Sequence, residues 1–315
     1  MNAPTSQQAW PALAYGEYQQ TGRTLHLITQ IVGKVRLAQT PWLNHSWQTP
    51  LYVTPRGLTT GTIPHGARAF DVELDLIDAV LRVRSDGPIA AVPLRSVPIA
   101  EVYRQVMQAL EAVGTPVRIN RFPNEMDAAV PFDQDTAPRV FEPDQARRLW
   151  RALAQADRVL KLFRTSFLGK ASPVHFFWGS FDLAVTRFSG RPAPPHPGGV
   201  PHLPDAVARE AYSHEVSSAG FWPGGPGLED AVFYSYAYPE PAGFRASLIE
   251  PAGAVYDAAF GEFVLPYEAV RSAPDPDAAL RAFLTSTYAA AADAAGWDRA
   301  ALECGFGEPG VVREV

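Results

Sequence analysis

Residues 160–191 constrain the fold most strongly, because they join a helical pattern directly to a strand pattern. Over residues 144–168 the apolar side chains recur at three- and four-residue steps, which is typical of an amphipathic helix. Gly169 ends this pattern, and residues 175–188 form an aromatic run that predicts a strand. The run also contains His175, Asp182 and Arg187. Because polar groups are costly to bury without partners, this stretch predicts a pocket that their side chains share.

The rest of the chain alternates between helical and strand patterns, which predicts an α+β protein. Helices are predicted at residues 23–35 and 275–296, and alternating strands at residues 70–78 and 80–84. Two parts of the chain repeat one order: a helix ending in Gly-Lys, a link with a histidine, strands, and a closing helix. This order predicts two similar helix–antiparallel sheet–helix halves. An internal duplication with a cleft between the halves is one interpretation of it.

The polar segment at residues 124–143 carries prolines and few periodic apolar residues, so it is predicted to connect the halves. The first half is then residues 1–123, the second half residues 144–300, and a C-terminal tail residues 301–315. The proline-rich segment at residues 192–204 cannot form a helix or a central strand. We expect it to be a surface loop across the mouth of the pocket.

The composition of the chain argues against several functional classes. A net charge of −6 and a pI near 5.7 argue against a dedicated nucleic-acid-binding protein. The single cysteine, Cys304, excludes an internal disulfide framework and a cysteine-rich zinc site, and it favours a reducing cytoplasm. We also expect no export and no membrane insertion, since the sequence shows neither a signal peptide nor an apolar run of the roughly 18 residues that span a bilayer. The sequence predicts no particular cofactor or oligomeric state.

Arginines beside aromatic and loop segments favour an anionic ligand, because guanidinium groups bind carboxylates and phosphates through two hydrogen bonds. The candidates for this role are Arg56, Arg187 and Arg191. The alternative is that Arg187 forms a structural ion pair with Asp182 in the core. The leading interpretation is a cytoplasmic enzyme or binding protein that acts on a small anionic organic molecule.

His175 and Asp182 are the candidate acid/base or ligand pair, since a histidine beside a carboxylate can titrate near neutral pH. Trp178 and Tyr236 are predicted to line the same pocket, because they belong to a set of aromatic residues that suits a flat or apolar ligand. Ordinary core packing is the alternative for His175 and for most of this aromatic set.

Two other functional classes stay open. His175, His214 and Glu215 are residue types that bind zinc or iron, but adjacent strand residues such as His214 and Glu215 point to opposite faces. No metal site is therefore predicted, although a mononuclear metalloenzyme that uses His175 and His214 remains an alternative. The other alternative is a non-catalytic interaction module that docks a partner through Trp222 and the proline-rich loop.

Five segments carry a resemblance to a known family: TLHLITQIVGK, PLYVTPRGLTT, GKASPVHFFWGSFDLAVTRFSGR, YSHEVSSAGFWPG and LPYEAVR. Together they resemble the bacterial family DUF5996, a domain of unknown function. The resemblance covers the chain from Trp10 to Trp297, and the motif from His175 to Arg191 is long enough to be specific. It implies a stand-alone bacterial protein of this architecture, and it implies no reaction, cofactor or catalytic residue.

Overall fold

The computed structural model describes residues 9–126, 128–225 and 227–313. They form helices and two six-stranded antiparallel sheets, so the predicted α+β class is confirmed. The helices are α1 (Tyr15–Gln39), α2 (Ile99–Ala112), α3 (Pro143–Thr165), α4 (Asp205–Ala211), α5 (Tyr267–Arg271), α6 (Pro276–Ala294) and α7 (Arg299–Leu302).

The first sheet is a meander in the order β1-β2-β4-β5-β6, with β3 paired to β4. Its strands are β1 (Tyr52–Thr54), β2 (Gly57–Thr59), β3 (Ile63–His65), β4 (Arg68–Asp75), β5 (Val80–Ser85) and β6 (Ile89–Pro93). The second sheet has the order β11-β12-β10-β9-β8-β7. Its strands are β7 (His175–Phe177), β8 (Asp182–Pro192), β9 (His214–Trp222), β10 (Val232–Tyr238), β11 (Val255–Asp257) and β12 (Glu262–Pro266).

Each half places a long helix before its sheet and another helix after it. The two sheets meet where Leu51 and Phe176 exchange two backbone hydrogen bonds, each 2.9 Å long. One hydrophobic core runs through both halves, from Trp10 to Trp297. The halves therefore fold around common apolar contacts, and the proposed internal duplication stays a prediction.

Helix α1 is longer than its apolar pattern predicts and is buried on most of its faces. The polar residues Thr29, Gln30 and Lys34 are buried along with the apolar stripe. The connector covers them: the Gln30 side chain donates to the Asn124 carbonyl (2.7 Å) and accepts from the Asn124 amide (2.8 Å). Satisfying these polar groups allows α1 to pass through the centre of the protein.

Among the described residues, every helix is too short or too polar to cross a lipid bilayer.

Candidate functional site

One face of the second sheet forms the floor of a cavity of about 410 Å³, which we call the sheet cavity. Alternate residues of a strand point to the same face, and the register aligns Thr186 of β8 with Ser218 of β9 and Tyr236 of β10. The floor residues are Asp182, Ala184, Thr186, Ser218, Tyr234 and Tyr236. This volume lies within the range of about 300–1,000 Å³ that is typical of small-molecule sites.

Three segments of the chain form the roof of the sheet cavity. Helix α4 places Val207, Ala208 and Ala211 on one helical face towards the cavity. The proline-rich segment contributes Val200, Leu203 and Pro204. The connector contributes Asn124 and Glu125.

The walls of the sheet cavity are largely aromatic: Trp42, Trp47, Phe177, Trp178, Phe188 and Tyr212. Trp178 is held in place because its indole N–H donates to the Thr49 carbonyl at 3.0 Å. Two of the residues predicted to bind ligand, Trp178 and Tyr236, thus lie in this wall and floor. Such rings offer large apolar contact area to a bound molecule.

Asp182 is the acidic group of the floor and is only 8% exposed. Its carboxylate accepts hydrogen bonds from the hydroxyls of Ser180 and Tyr234. Tyr234 reaches it across β9 because Gly220 lies between them; a Cβ at Gly220 would be 2.5 Å from the Tyr234 hydroxyl oxygen. Burial raises the pKa of Asp182, and the two hydroxyl donors oppose that shift.

Glu125 is the second acidic group of the sheet cavity, and no sequence pattern pointed to it. Its backbone has a φ of 59° and its amide donates to the Pro201 carbonyl at 2.8 Å, which joins the connector to the proline-rich segment. Its carboxylate lies against Gly179, where a Cβ would be 1.8 Å from Oε1. Burial, followed by the charge of Asp182, raises the pKa of Glu125 to about 7.

Hydroxyl pairs and one histidine complete the polar lining. The Tyr212 and Tyr236 hydroxyls are 2.8 Å apart, and His45 lies where the roof meets the wall. The His45 Nε2 accepts from the Lys170 ammonium at 2.9 Å, so its Nδ1–H donates to the Ala211 carbonyl at 3.1 Å. Burial lowers the pKa of His45, which therefore serves as a neutral hydrogen-bonding group.

His175 does not line the sheet cavity. It packs edge to face with Trp47 and Tyr52, with ring centroids 5.7 Å away in both cases. Neither ring nitrogen has a hydrogen-bond partner among the described residues, and burial lowers the pKa of His175 to about 3. The expected convergence of His175 and Asp182 on one cavity is not found, and His175 supports the wall from behind the rings that form it.

Arg187 lies on the opposite face of β8 from Asp182. Its guanidinium packs on Phe163 (3.6 Å to the ring centroid) and Tyr288 (4.3 Å), and it donates to the Phe163 carbonyl and the Ser166 hydroxyl. Neither the predicted anion clamp nor the alternative ion pair with Asp182 is present. The physical reason is strand geometry: residues five positions apart point to opposite faces.

The other two candidate arginines are paired on the protein surface. Arg191 contacts Glu215 at 2.7 Å, and Arg56 contacts Asp75 at 2.6 Å and Asp78 at 2.8 Å on the first sheet. Neither lines the sheet cavity, and none of its described lining residues is lysine or arginine. The role of these arginines in ligand binding stays a prediction that this geometry does not favour.

The candidate metal ligands do not converge. The Nδ1 of His214 lies 3.0 Å from the Ser213 hydroxyl, and Glu215 is paired with Arg191. Within residues 9–126, 128–225 and 227–313, no three histidine, cysteine, aspartate or glutamate side chains are grouped closely enough to hold a metal ion.

The residues proposed to dock a partner protein make contacts within this chain. Trp222 is partly buried and packs against Phe260, with ring centroids 6.3 Å apart. The proline-rich segment packs over the sheet cavity. Docking of a partner through these residues stays a prediction.

Comparison with known proteins gives one match. The sequence model of a family of unknown function, DUF5996, matches residues 10–304. The chain belongs to this family. The DUF5996 match confirms the resemblance of the five quoted segments, and it includes both sheets and every residue that lines the sheet cavity. No curated protein and no solved structure matches the chain.

Replacing Gly33 by alanine should disturb the wall of this DUF5996 cavity, because a Cβ there would lie 2.2 Å from Cδ1 of Trp178. Overpacking of this kind costs about 1–3 kcal/mol, which outweighs the helix propensity of about 1 kcal/mol that alanine adds. We expect the free energy of unfolding in urea to fall by about 2 kcal/mol.

Gly16 in the same helix is the matched control for this substitution. A Cβ at Gly16 would have no other atom within 4 Å, so Gly16→Ala should leave stability unchanged or raise it slightly. If Gly33→Ala proved as stable as Gly16→Ala, the close contact between α1 and Trp178 would be contradicted.

Proposed function

We propose that this protein binds a small organic molecule in the sheet cavity, with its apolar part against the aromatic walls and a polar group at Asp182 and Glu125. One observation carries the proposal. Two carboxyl groups that are expensive to desolvate face a space of about 410 Å³, and neither forms a salt bridge with a described lysine or arginine. Perturbed carboxyls in an aromatic cavity are typical of a ligand site or an active site.

The proposal differs from the sequence-based expectation in the charge of the ligand. That expectation relied on Arg56, Arg187 and Arg191, and each of them has partners elsewhere. The charged groups at the sheet cavity are acidic, so the geometry favours a ligand that is neutral or cationic over one that is anionic.

Helix α4 offers a matched pair of variants to test the proposal. Ala208 is buried and faces the cavity, whereas Ala206, two residues earlier, is exposed. Ala208→Phe should fill part of the cavity, and Ala206→Phe adds the same ring on the solvent side. Binding can be followed with N-phenyl-1-naphthylamine, a neutral fluorescent molecule that reports apolar cavities regardless of their charge.

We expect N-phenyl-1-naphthylamine to bind the unmodified protein and Ala206→Phe equally, and Ala208→Phe at least about tenfold more weakly, since its ring occupies the space that the molecule needs. Circular dichroism of both variants verifies that they fold. Equal binding to all three proteins, or no binding to any, would overturn the proposed site.

A further inference from the structure

The acidic residue on the floor of the sheet cavity has different partners from the acidic residues that are buried elsewhere in the described part of the protein. The buried acidic residues in the described part of the chain are Glu73, Asp75, Asp135, Asp157 and Asp182. The first four each form a salt bridge with an arginine or a lysine. Asp182, in contrast, accepts side-chain hydrogen bonds from the hydroxyls of Ser180 and Tyr234 and forms no salt bridge with any described residue. Within the described ranges, Asp182 is thus the one buried acidic residue without a basic partner.

Glu125 extends the same pattern into the roof of the cavity. Among the described residues it has no salt bridge, and its pKa is raised first by burial and then by the negative charge of Asp182. The repulsion between two carboxyl groups that line one cavity favours either protonation of one of them or binding of a cation.

The nearby lysines do not supply that cation. Lys34 donates to the side-chain oxygen of Asn124 and lies 5.6 Å from the centre of the Trp178 ring. Lys170 donates to His45 and packs over Trp47 at 5.1 Å. Neither ammonium lines the cavity, and none of the described lining residues is a lysine or an arginine that could place a positive charge beside Glu125 and Asp182.

The walls are suited to a cation as well. The electron-rich faces of tryptophan, tyrosine and phenylalanine attract positive charge, most strongly where water is excluded. Trp47, Trp178 and Tyr212 line the cavity together with the two carboxyl groups. An ammonium group with an apolar body matches both the rings and the carboxylates, whereas a carboxylate or phosphate matches neither.

We propose that the ligand of the sheet cavity is a small organic cation, namely a protonated amine on an aromatic or aliphatic body, whose ammonium group donates to Glu125 and Asp182. This assignment rests on the function proposed above, because it names the chemical class of the molecule bound there. Binding supplies the missing counter-charge and brings both carboxyl groups into their ionised forms.

The test compares three molecules of one shape: 2-phenylethylamine, 2-phenylethanol and 3-phenylpropanoate, together with the corresponding naphthyl series. Affinities are measured by isothermal titration calorimetry at pH 8 with the full chain, Glu125→Gln and Asp182→Asn. We expect the amine to bind at least about tenfold more tightly than the alcohol and the carboxylate. Glu125→Gln should weaken the amine at least about tenfold and the alcohol less than about threefold.

Each other outcome decides the question. If the alcohol or carboxylate binds as tightly as the amine, or if Glu125→Gln binds the amine unchanged, the cationic ligand is overturned while the cavity remains a binding site. If no molecule of either series binds but N-phenyl-1-naphthylamine does, the cationic ligand is likewise overturned and the cavity remains a binding site. If that molecule also fails, the proposed function itself is overturned. Glu125 lies in the connector, so its variant remains informative even if Asp182→Asn does not fold.

Discussion

Replacing Arg187 by alanine should lower the free energy of unfolding by about 3 kcal/mol, which is a large effect for a single substitution. The side chain is 2% exposed and fills the space between Phe163, Phe167 and Tyr288. Its removal leaves a cavity and deprives the Phe163 carbonyl of a donor, and each of these losses is destabilising. Chemical denaturation in urea measures the change.

Two variants separate the causes of this loss. Arg187→Met keeps most of the volume and removes a buried charge that forms no salt bridge with a described residue, so it should cost less than half as much as Arg187→Ala. Arg191→Ala, on the same strand, removes an exposed pair with Glu215 and should cost less than about 1 kcal/mol. If Arg187→Ala lowered the free energy of unfolding no more than Arg191→Ala does, the packing of Arg187 among the three aromatic rings would be contradicted.

Replacing Glu125 by glutamine should stabilise the protein at pH 8 by about 2–3 kcal/mol and have almost no effect at pH 4.5. The reason is that the pKa of Glu125 is raised in the folded protein to about 7, chiefly by burial, from an ordinary value of 4.5. The uncharged amide does not have to be desolvated as an anion. Urea unfolding curves recorded between pH 4.5 and pH 8 measure the difference.

The direction of the pH dependence follows from the direction of the shift. A carboxyl with a raised pKa in the folded state destabilises the protein as pH rises from the unfolded pKa to the folded one. The unmodified protein should therefore lose stability relative to Glu125→Gln between about pH 4.5 and about pH 7, and the difference should be constant above that range. Asp182 and Glu262, whose pKa values are also raised by burial, are retained in both proteins.

An opposite result would be equally clear. If Glu125→Gln were less stable than the unmodified protein at pH 8, a positive group would have to neutralise Glu125 in the folded chain. The sheet cavity would then carry its own counter-charge and would not need a cationic ligand to supply one.

The regular spacing of apolar residues in the sequence predicted the long helices, although not all of their ends. Helix α3 begins at Pro143, one residue before the predicted start, because its apolar residues repeat over several turns. It ends at Thr165 and not at residue 168, because the Leu168 amide donates instead to the Leu302 carbonyl. Helix α1 extends beyond its prediction at both ends, and outside the predicted range the Thr21 hydroxyl accepts a hydrogen bond from the Glu142 amide of the connector. Such contacts depend on tertiary partners that periodicity cannot reveal.

The candidate site was only partly predictable for the same reason. Trp178, Asp182 and Tyr236 were identified from the aromatic strands, and they do line one cavity. Glu125 was missed because its position comes from a left-handed backbone conformation and a hydrogen bond to Pro201, neither of which has a sequence pattern. The roof of the cavity is built from segments without periodicity.

The grouping of Asp182 with Arg187 could have been rejected from the sequence alone. An odd spacing on one strand places two side chains on opposite faces unless a bulge intervenes, and the register of β8 with β9 is regular from Leu183 to Phe188. The position of His175 was harder to foresee. It shares a face with Ala184, which lines the sheet cavity, but the rings of Trp47 and Phe177, which also line it, pack against the His175 ring.

We propose that this protein binds its ligand in the sheet cavity. The most direct test is a crystal structure of the protein soaked with N-phenyl-1-naphthylamine at a concentration that saturates binding in solution. We expect electron density for its rings between the second sheet and α4, in contact with Trp178 and Tyr236. Density at Arg56 or Arg191, or an empty sheet cavity at saturation, would contradict the claim.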